Sequence, residues 1–117
     1  MEHIVVHKGT DYHSAFPDII RLANGDLVTV YREAPFRPAG WAGTGYFTEA
    51  EGKTHHHVDP GSRIALLRST DDGITWDAGS RVVMDSSDGA HDLNMPVITQ
   101  LSSGDLIVNN HRWQVEL

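Results

Sequence analysis

The sequence contains no cysteine among its 117 residues, which excludes a disulfide framework and thiolate-based metal or redox chemistry. It also has no apolar run near the roughly 18 residues that a membrane-spanning helix needs. The N-terminus lacks the basic region and apolar stretch of a secretory signal. We therefore expect no membrane partner. The compartment stays unknown: a cytoplasmic location is the default, and export would require a leader ahead of this chain.

Basic residues are scarce as well. Nine Lys and Arg residues stand against 16 Asp and Glu residues, and the formal net charge is -7. Neutralising nucleic-acid phosphates requires a basic surface, so nucleic acid is not an expected partner. The chain is 39% hydrophobic and 21% charged, a balance that favours a folded domain over disorder.

Long runs of helix-forming residues are missing, and short segments rich in β-branched and aromatic residues alternate with turn residues. This pattern predicts an all-β fold. Asn24-Gly25 predicts a hairpin between the first two strands, because both residues tolerate positive φ. The predicted strands cover residues 16–22, 26–33, 62–69, 80–85, 95–101 and 105–113.

One segment of the chain is repeated. "FPDIIRLANGDLVTVYR" aligns without a gap with "MPVITQLSSGDLIVNNH", and Pro17 matches Pro96, 79 residues later. Each proline lacks an N–H donor and is expected at a strand start or bulge. A repeated four-stranded antiparallel meander indicates a β-propeller. We predict one blade over residues 12–85, with a long loop at 34–61, and the first half of a second blade over 94–113.

One and a half blades do not close a propeller, which typically has four to eight. Residues 1–117 are therefore expected to form a partial propeller domain of a longer protein. Its predicted partners are the remaining blades, or other copies of the chain, because open sheet edges promote association. A small domain that closes by oligomerising is the alternative.

A turn of small polar residues precedes a tryptophan in "RSTDDGITWD". Aspartate in such a turn accepts backbone N–H bonds, glycine adopts positive φ, and tryptophan can be buried between sheets. The pattern resembles the Asp-box of the sialidase-like BNR-repeat β-propellers, a family whose members have about six blades. The resemblance covers about residues 12–113. The matching residues, which we interpret as a structural clasp, are Ser69, Asp71, Gly73, Thr75 and Trp76.

A calcium site is the alternative interpretation of this turn, because Asp71, Asp72 and Asp77 lie close together. An EF-hand loop, however, requires a glutamate about six residues after its glycine. Gly79 occupies that position. We expect no metal and no cofactor.

The topology of a meander predicts where a site lies, because successive turns alternate between the two ends of the strands. The Asn24-Gly25 turn and the Asp-box turn fall at one end. The loop at 34–61, the connection at 86–94 and the segment before the first strand fall at the other. We expect the functional site at this second end.

The resemblance implies carbohydrate processing, with a glycan or other small carbohydrate as substrate. In that interpretation the complete protein is an exo-acting, sialidase-like glycoside hydrolase, and the fragment alone is inactive. Asp59 is the acid/base candidate, assisted by His57 or His91; an Asx-Pro turn is the alternative role for Asp59. Ala15 stands where sialidases carry a substrate-binding arginine. That departure favours the alternative function, a non-catalytic BNR-repeat glycan-binding or scaffold protein.

The remaining candidates would bind substrate. Arg32 can bind a sugar hydroxyl or carboxylate, although Arg32 and Glu33 can equally form a surface pair. Trp41 can stack on a sugar or pin its own loop. The set of substrate-binding candidates is Arg32, Glu33, His13, Asp92 and Trp41.

The triplet His55-His56-His57 raises a zinc-site alternative. Adjacent residues of a strand point to opposite sides, so at most His55 and His57 face together. Solvated loop histidines are the simpler interpretation.

Overall fold

The computed structural model describes residues 3–38, 41, 53–86 and 88–115. These residues form antiparallel β-sheets and contain no helix, which confirms the prediction of an all-β fold. Within them there is accordingly no helix of the length and apolarity required to cross a bilayer. The strands are β1 (Tyr12–Arg21), β2 (Leu27–Pro35), β3 (Arg37–Pro38), β4 (Lys53–Thr54), β5 (Arg63–Ser69), β6 (Asp77–Asp85), β7 (His91–Gln100) and β8 (Leu106–Gln114).

Four of the strands form a meander in the order β1-β2-β5-β6, and each strand is antiparallel to the next. Strands β7 and β8 form a separate hairpin sheet. Strands β3 and β4 pair within the predicted loop 34–61, where Arg37 is opposite Thr54. Two-residue strands are too short to show a period, so the sequence predicted only a loop there. Part of that loop, residues 39–40 and 42–52, lies outside the described residues.

The repeat seen in the sequence is also present in the backbone. Phe16 and Met95 occupy equivalent positions before a proline, and their φ angles are 51° and 50°. The register of β1 against β2 shifts between Ala15 and Asp18, and β7 shifts against β8 at the same place in its own hairpin. A bulge accommodates the missing N–H of each proline. The strands therefore continue upstream of the prolines, to Tyr12 and His91, beyond the predicted starts.

The two hairpin turns of the repeat have the same pattern of backbone hydrogen bonds. The Leu22 N–H donates to the Asp26 carbonyl at 2.7 Å, and the Leu101 N–H donates to the Asp105 carbonyl at 2.8 Å. The turn glycines have φ angles of 94° and 92°. Both turns thus depend on a residue without a Cβ in the left-handed region.

The core lies between the first sheet and the β7–β8 sheet. Its buried side chains are Leu22, Val28, Val30, Ile64, Leu93 and Ile98. Two hydrogen bonds join the same sheets: the Ile98 N–H donates to Asp18 Oδ2 at 2.9 Å, and the Ala23 N–H donates to Gln100 Oε1 at 2.8 Å. The repeated hairpins therefore pack face to face, and polar side chains fix their relative position.

Each sheet also has apolar residues on its second face. On the first sheet, Tyr31, Ala65 and Leu67 form a smaller cluster against which Trp76 packs. On the β7–β8 sheet, Val97 and Ile107 share the outer face, where they are 52% and 40% exposed. Apolar side chains on both faces are typical of sheets that are covered on both sides.

Candidate functional site

The turn at residues 69–76, which we call the Asp-box turn after the motif it resembles, is held by its own side chains. Asp71 Oδ1 accepts hydrogen bonds from Ser69 Oγ and from the Thr75 N–H, both at 2.8 Å. Hydrogen bonds from Thr75, followed by that from Ser69, hold the pKa of the Asp71 carboxyl below its usual value. The Trp76 Nε1–H donates to the Gly73 carbonyl at 3.1 Å. These contacts support the interpretation of the turn as a clasp.

The Asp-box turn and the Asn24-Gly25 turn lie at the same end of the first sheet. Arg21 contacts Asp72 at 2.6 Å, and Arg68 contacts Asp26 at 2.6 Å, so two ion pairs connect the turns. We call this the Asp-box end. The placement of both turns at one end follows the predicted meander.

The opposite end, where β2 terminates, contains a buried guanidinium; we call it the Arg32 end. Arg32 is 1% exposed. One of its terminal nitrogens donates to Asp92 Oδ1 at 2.7 Å, to Ser62 Oγ at 2.6 Å and to the His56 carbonyl at 3.1 Å. The surface-pair interpretation of Arg32 is therefore wrong: the side chain lies inside the protein and links β2 to β7.

Asp59 is fully buried at the same end. Arg37 binds it with two hydrogen bonds, from Nε to Oδ2 at 3.0 Å and from a terminal nitrogen to Oδ1 at 2.8 Å. The Gly61 N–H also donates to Oδ1, at 2.7 Å, as in an Asx turn. Both oxygens of this buried carboxylate are therefore occupied by donors of the protein itself.

Asp92 connects the two buried pairs. Its Oδ1 accepts from Arg32 and, at 3.2 Å, from the Asp59 N–H. Its Oδ2 accepts from Asn94 Nδ2 at 3.0 Å, and the same amide donates to the His57 carbonyl at 2.9 Å. The sequence interpretation overlooked Asn94. The sequence repeat could have pointed to this residue, because the polar Asn94 occupies the position in the second copy that Ala15 occupies in the first.

Histidines line a cleft of about 120 Å³ at this end, which we call the histidine cleft; its walls are His13, Ala15, Phe16, Arg32, His55, His56 and His57. The rings of His13 and His55 are stacked, with centroids 3.6 Å apart and planes 13° apart. Burial, followed by the charge of Arg32, lowers the pKa of His13. Burial, followed by the neighbouring His13, lowers the pKa of His55. Both imidazoles thus favour the neutral form.

The structure separates the two histidines predicted to assist Asp59. His57 is exposed, and its ring meets Phe16 edge-on at 5.7 Å in the wall of the cleft. His91 instead bonds to Asp88 through Nδ1 at 2.7 Å, and Arg112 contacts the same carboxylate at 2.6 Å. His91, the first residue of β7, therefore packs against Asp88 of the connection between the sheets.

Glu33 lies apart from the histidine cleft, whereas Trp41 packs against His56 in its wall. Glu33 projects from the face opposite to Arg32, where it is buried and pairs with Arg63 at 2.9 Å and with Arg81. Burial opposes its ionisation, but hydrogen bonds from these arginines outweigh burial and keep the pKa of Glu33 low. The Trp41 ring lies 4.6 Å from both the Arg37 guanidinium and the His56 ring. These contacts favour a loop-pinning role for Trp41.

Among residues 3–38, 41, 53–86 and 88–115, no group of three or more histidine and carboxylate side chains is placed to hold a metal ion. Comparison with family models, with characterised proteins and with solved structures gave no significant match.

Proposed function

We propose that this chain forms part of a sialidase-like β-propeller and that its Arg32 end contributes to a glycan-binding site. Three features support the propeller: the repeated bulge and turn, the face-to-face packing of the repeated hairpins, and the Asp-box clasp. The single observation that supports a site here is the histidine cleft, whose walls include Arg32, four histidines and Phe16.

The chemistry of the cleft suits a sugar. Imidazole nitrogens can donate or accept hydrogen bonds to hydroxyl groups. Phe16 is 39% exposed and presents an apolar surface beside His57, on which the C–H face of a sugar ring can pack. The volume of about 120 Å³ is below the roughly 300 Å³ at which ligand pockets usually begin. Further blades must then supply the remaining walls.

The geometry favours binding over catalysis by Asp59. A general acid must come within hydrogen-bonding distance of the leaving-group oxygen. Asp59 is fully buried, and both of its carboxylate oxygens accept bonds from Arg37. In this arrangement Asp59 orders the segment beside the cleft and does not face a ligand.

Binding can be tested in the full-length protein that contains this sequence. N-acetylneuraminic acid and a set of neutral methyl glycosides are titrated while the histidine ring signals are followed by NMR. We expect saturable shifts of the His13 and His57 rings, and affinity at least about fivefold weaker in His57→Gln because it loses a hydrogen bond. His91→Gln is the matched control and should bind normally. The proposal is wrong if no probe saturates, or if both variants bind equally.

Glycoside hydrolysis is the second candidate function, because the arginine that binds Asp59 is itself partly exposed. The Arg37 side chain is 29% exposed and binds Asp59, so its displacement would free both carboxylate oxygens from their guanidinium partner. If Asp59 is the acid/base group, Asp59→Asn should abolish turnover of aryl glycosides while the protein stays folded. Asp88→Asn, at an exposed carboxylate of the same end, serves as the control. Unchanged turnover in Asp59→Asn would remove Asp59 from the mechanism.

A further inference from the structure

The His13–His55 stack joins two separate parts of the chain. His13 lies in β1, and His55 directly follows β4. Phe36 packs edge-on against both rings, with centroid distances of 6.4 Å to His13 and 6.2 Å to His55. The stack therefore holds His55 against the first sheet, next to the histidine cleft, while Arg32 and Asn94 bind the carbonyls of His56 and His57.

The charged groups around the stack come from every neighbouring element. Arg32 faces it from β2, and His56 and His57 adjoin it from the segment after β4. The nearby carboxylates are Asp92 from β7, which is paired with Arg32, and Asp59, which is paired with Arg37. Both carboxylates thus already neutralise a guanidinium, and a protonated imidazole here would add uncompensated positive charge.

Protonation of both rings would place two like charges 3.6 Å apart, within a partly buried site and beside Arg32. Like charges at such a separation repel strongly when water does not screen them. Protonation of one ring places a cation against a neutral ring, whereas protonation of both adds a repulsion that favours separation of the rings.

We infer that the His13–His55 stack is a proton-operated latch: it is closed while the rings are neutral, and double protonation separates the rings and loosens the segment 53–57 at its His55 contact. The latch requires no ligand, so it does not depend on the proposed glycan site. Its functional consequence is that mild acid widens the histidine cleft.

The direction of the pH dependence follows from linkage. The pKa of each ring is lower in the closed state than its ordinary value of 6.5. The closed state therefore binds fewer protons than the open state, and its stability rises with pH. The latch is fully stable above about pH 6.5 and weakens as the pH falls below that value.

NMR at pH 7.5 and pH 5.0 tests the latch. In the wild-type protein we expect contacts between the ring protons of His13 and His55 at the higher pH. At the lower pH these contacts should be lost, and amides 53–57 should become mobile. His13→Phe keeps an aromatic ring without a titratable group, so it should hold the segment at both pH values. His91→Gln should behave as the wild type.

Three outcomes would overturn the latch. The first is persistence of the ring contacts at pH 5.0, and the second is equal loosening in His13→Phe. The third is loss of the Trp76 indole signal over the same pH range, because the Trp76 hydrogen bond to Gly73 belongs to the Asp-box turn and its loss would show unfolding beyond the segment 53–57.

Discussion

Carboxylates held by several donors lie at both ends of the first sheet, but the donors come from different distances along the chain. At the Asp-box end, Asp71 is bound by Ser69 and Thr75, two and four residues away. At the Arg32 end, Asp92 is bound by Arg32, 60 residues away, and Asp59 by Arg37, 22 residues away. The first arrangement defines a turn, whereas the second fixes two sheets and a loop relative to one another.

The burial of the two ends differs as well. Arg21 and Asp72, which pair at the Asp-box end, have side chains 55% and 72% exposed. Arg32 and Asp92 are almost completely buried. Exposed pairs contribute little to stability because water screens them, whereas removal of one partner from a buried pair leaves an uncompensated charge. The two ends should therefore respond very differently to the loss of a single charge.

The largest expected effect is that of Arg32→Met. The substitution leaves Asp92 buried without its cation, and we expect the free energy of unfolding to fall by about 3–5 kcal/mol. Urea denaturation measures the loss. Arg21→Met is the matched control at the Asp-box end and should cost about 1 kcal/mol or less. Equal costs would refute the contrast between the two ends.

A smaller effect is expected for Ser69→Ala at the Asp-box end. Ser69 is fully buried, donates to Asp71 and accepts from the Gly73 N–H at 2.9 Å. Loss of this hydroxyl should cost about 1–2 kcal/mol in thermal or urea unfolding. Thr70→Ala, at the exposed neighbouring position, should change stability by about 0.5 kcal/mol at most. A larger effect at Thr70 than at Ser69 would argue against the clasp.

The smallest effect concerns the repeated turns. Gly25→Ala and Gly104→Ala each place a Cβ in the left-handed region, and neither Cβ would meet an atom within 4 Å. The cost is therefore conformational and should be about 1 kcal/mol in each turn. Thermal unfolding of both variants checks this. Costs that differ by more than about 1 kcal/mol would show that the two turns are not equivalent.

The local features of the fold could be predicted from the sequence. Asn24-Gly25 identified its hairpin, and the matched prolines predicted a strand start or a bulge; the structure contains bulges after Ala15 and Asn94. The alternation of β-forming segments with turn residues located all six strands of the larger sheets, although the bulges hid the upstream extensions to Tyr12 and His91. Local sequence is sufficient where the partner of a residue lies within a few positions.

The long-range contacts could not be predicted in the same way. The alternation of meander turns correctly predicted that Arg32, Asp59 and Asp92 lie at one end of the first sheet. No local pattern, however, indicated that Arg37 would cover Asp59 or that Asn94 would join Asp92 to His57. These partners are selected by packing between distant segments, which a single sequence does not display.

The most direct test of the proposed function is to map a bound sugar on the full-length protein by NMR chemical-shift perturbation, with the probe that saturates. We predict that the shifted signals lie at the histidine cleft, in His13, Phe16 and His57, and that the Asp-box signals of Trp76 and Thr75 stay unchanged. Shifts centred on the Asp-box end would contradict the assignment of the site to the Arg32 end.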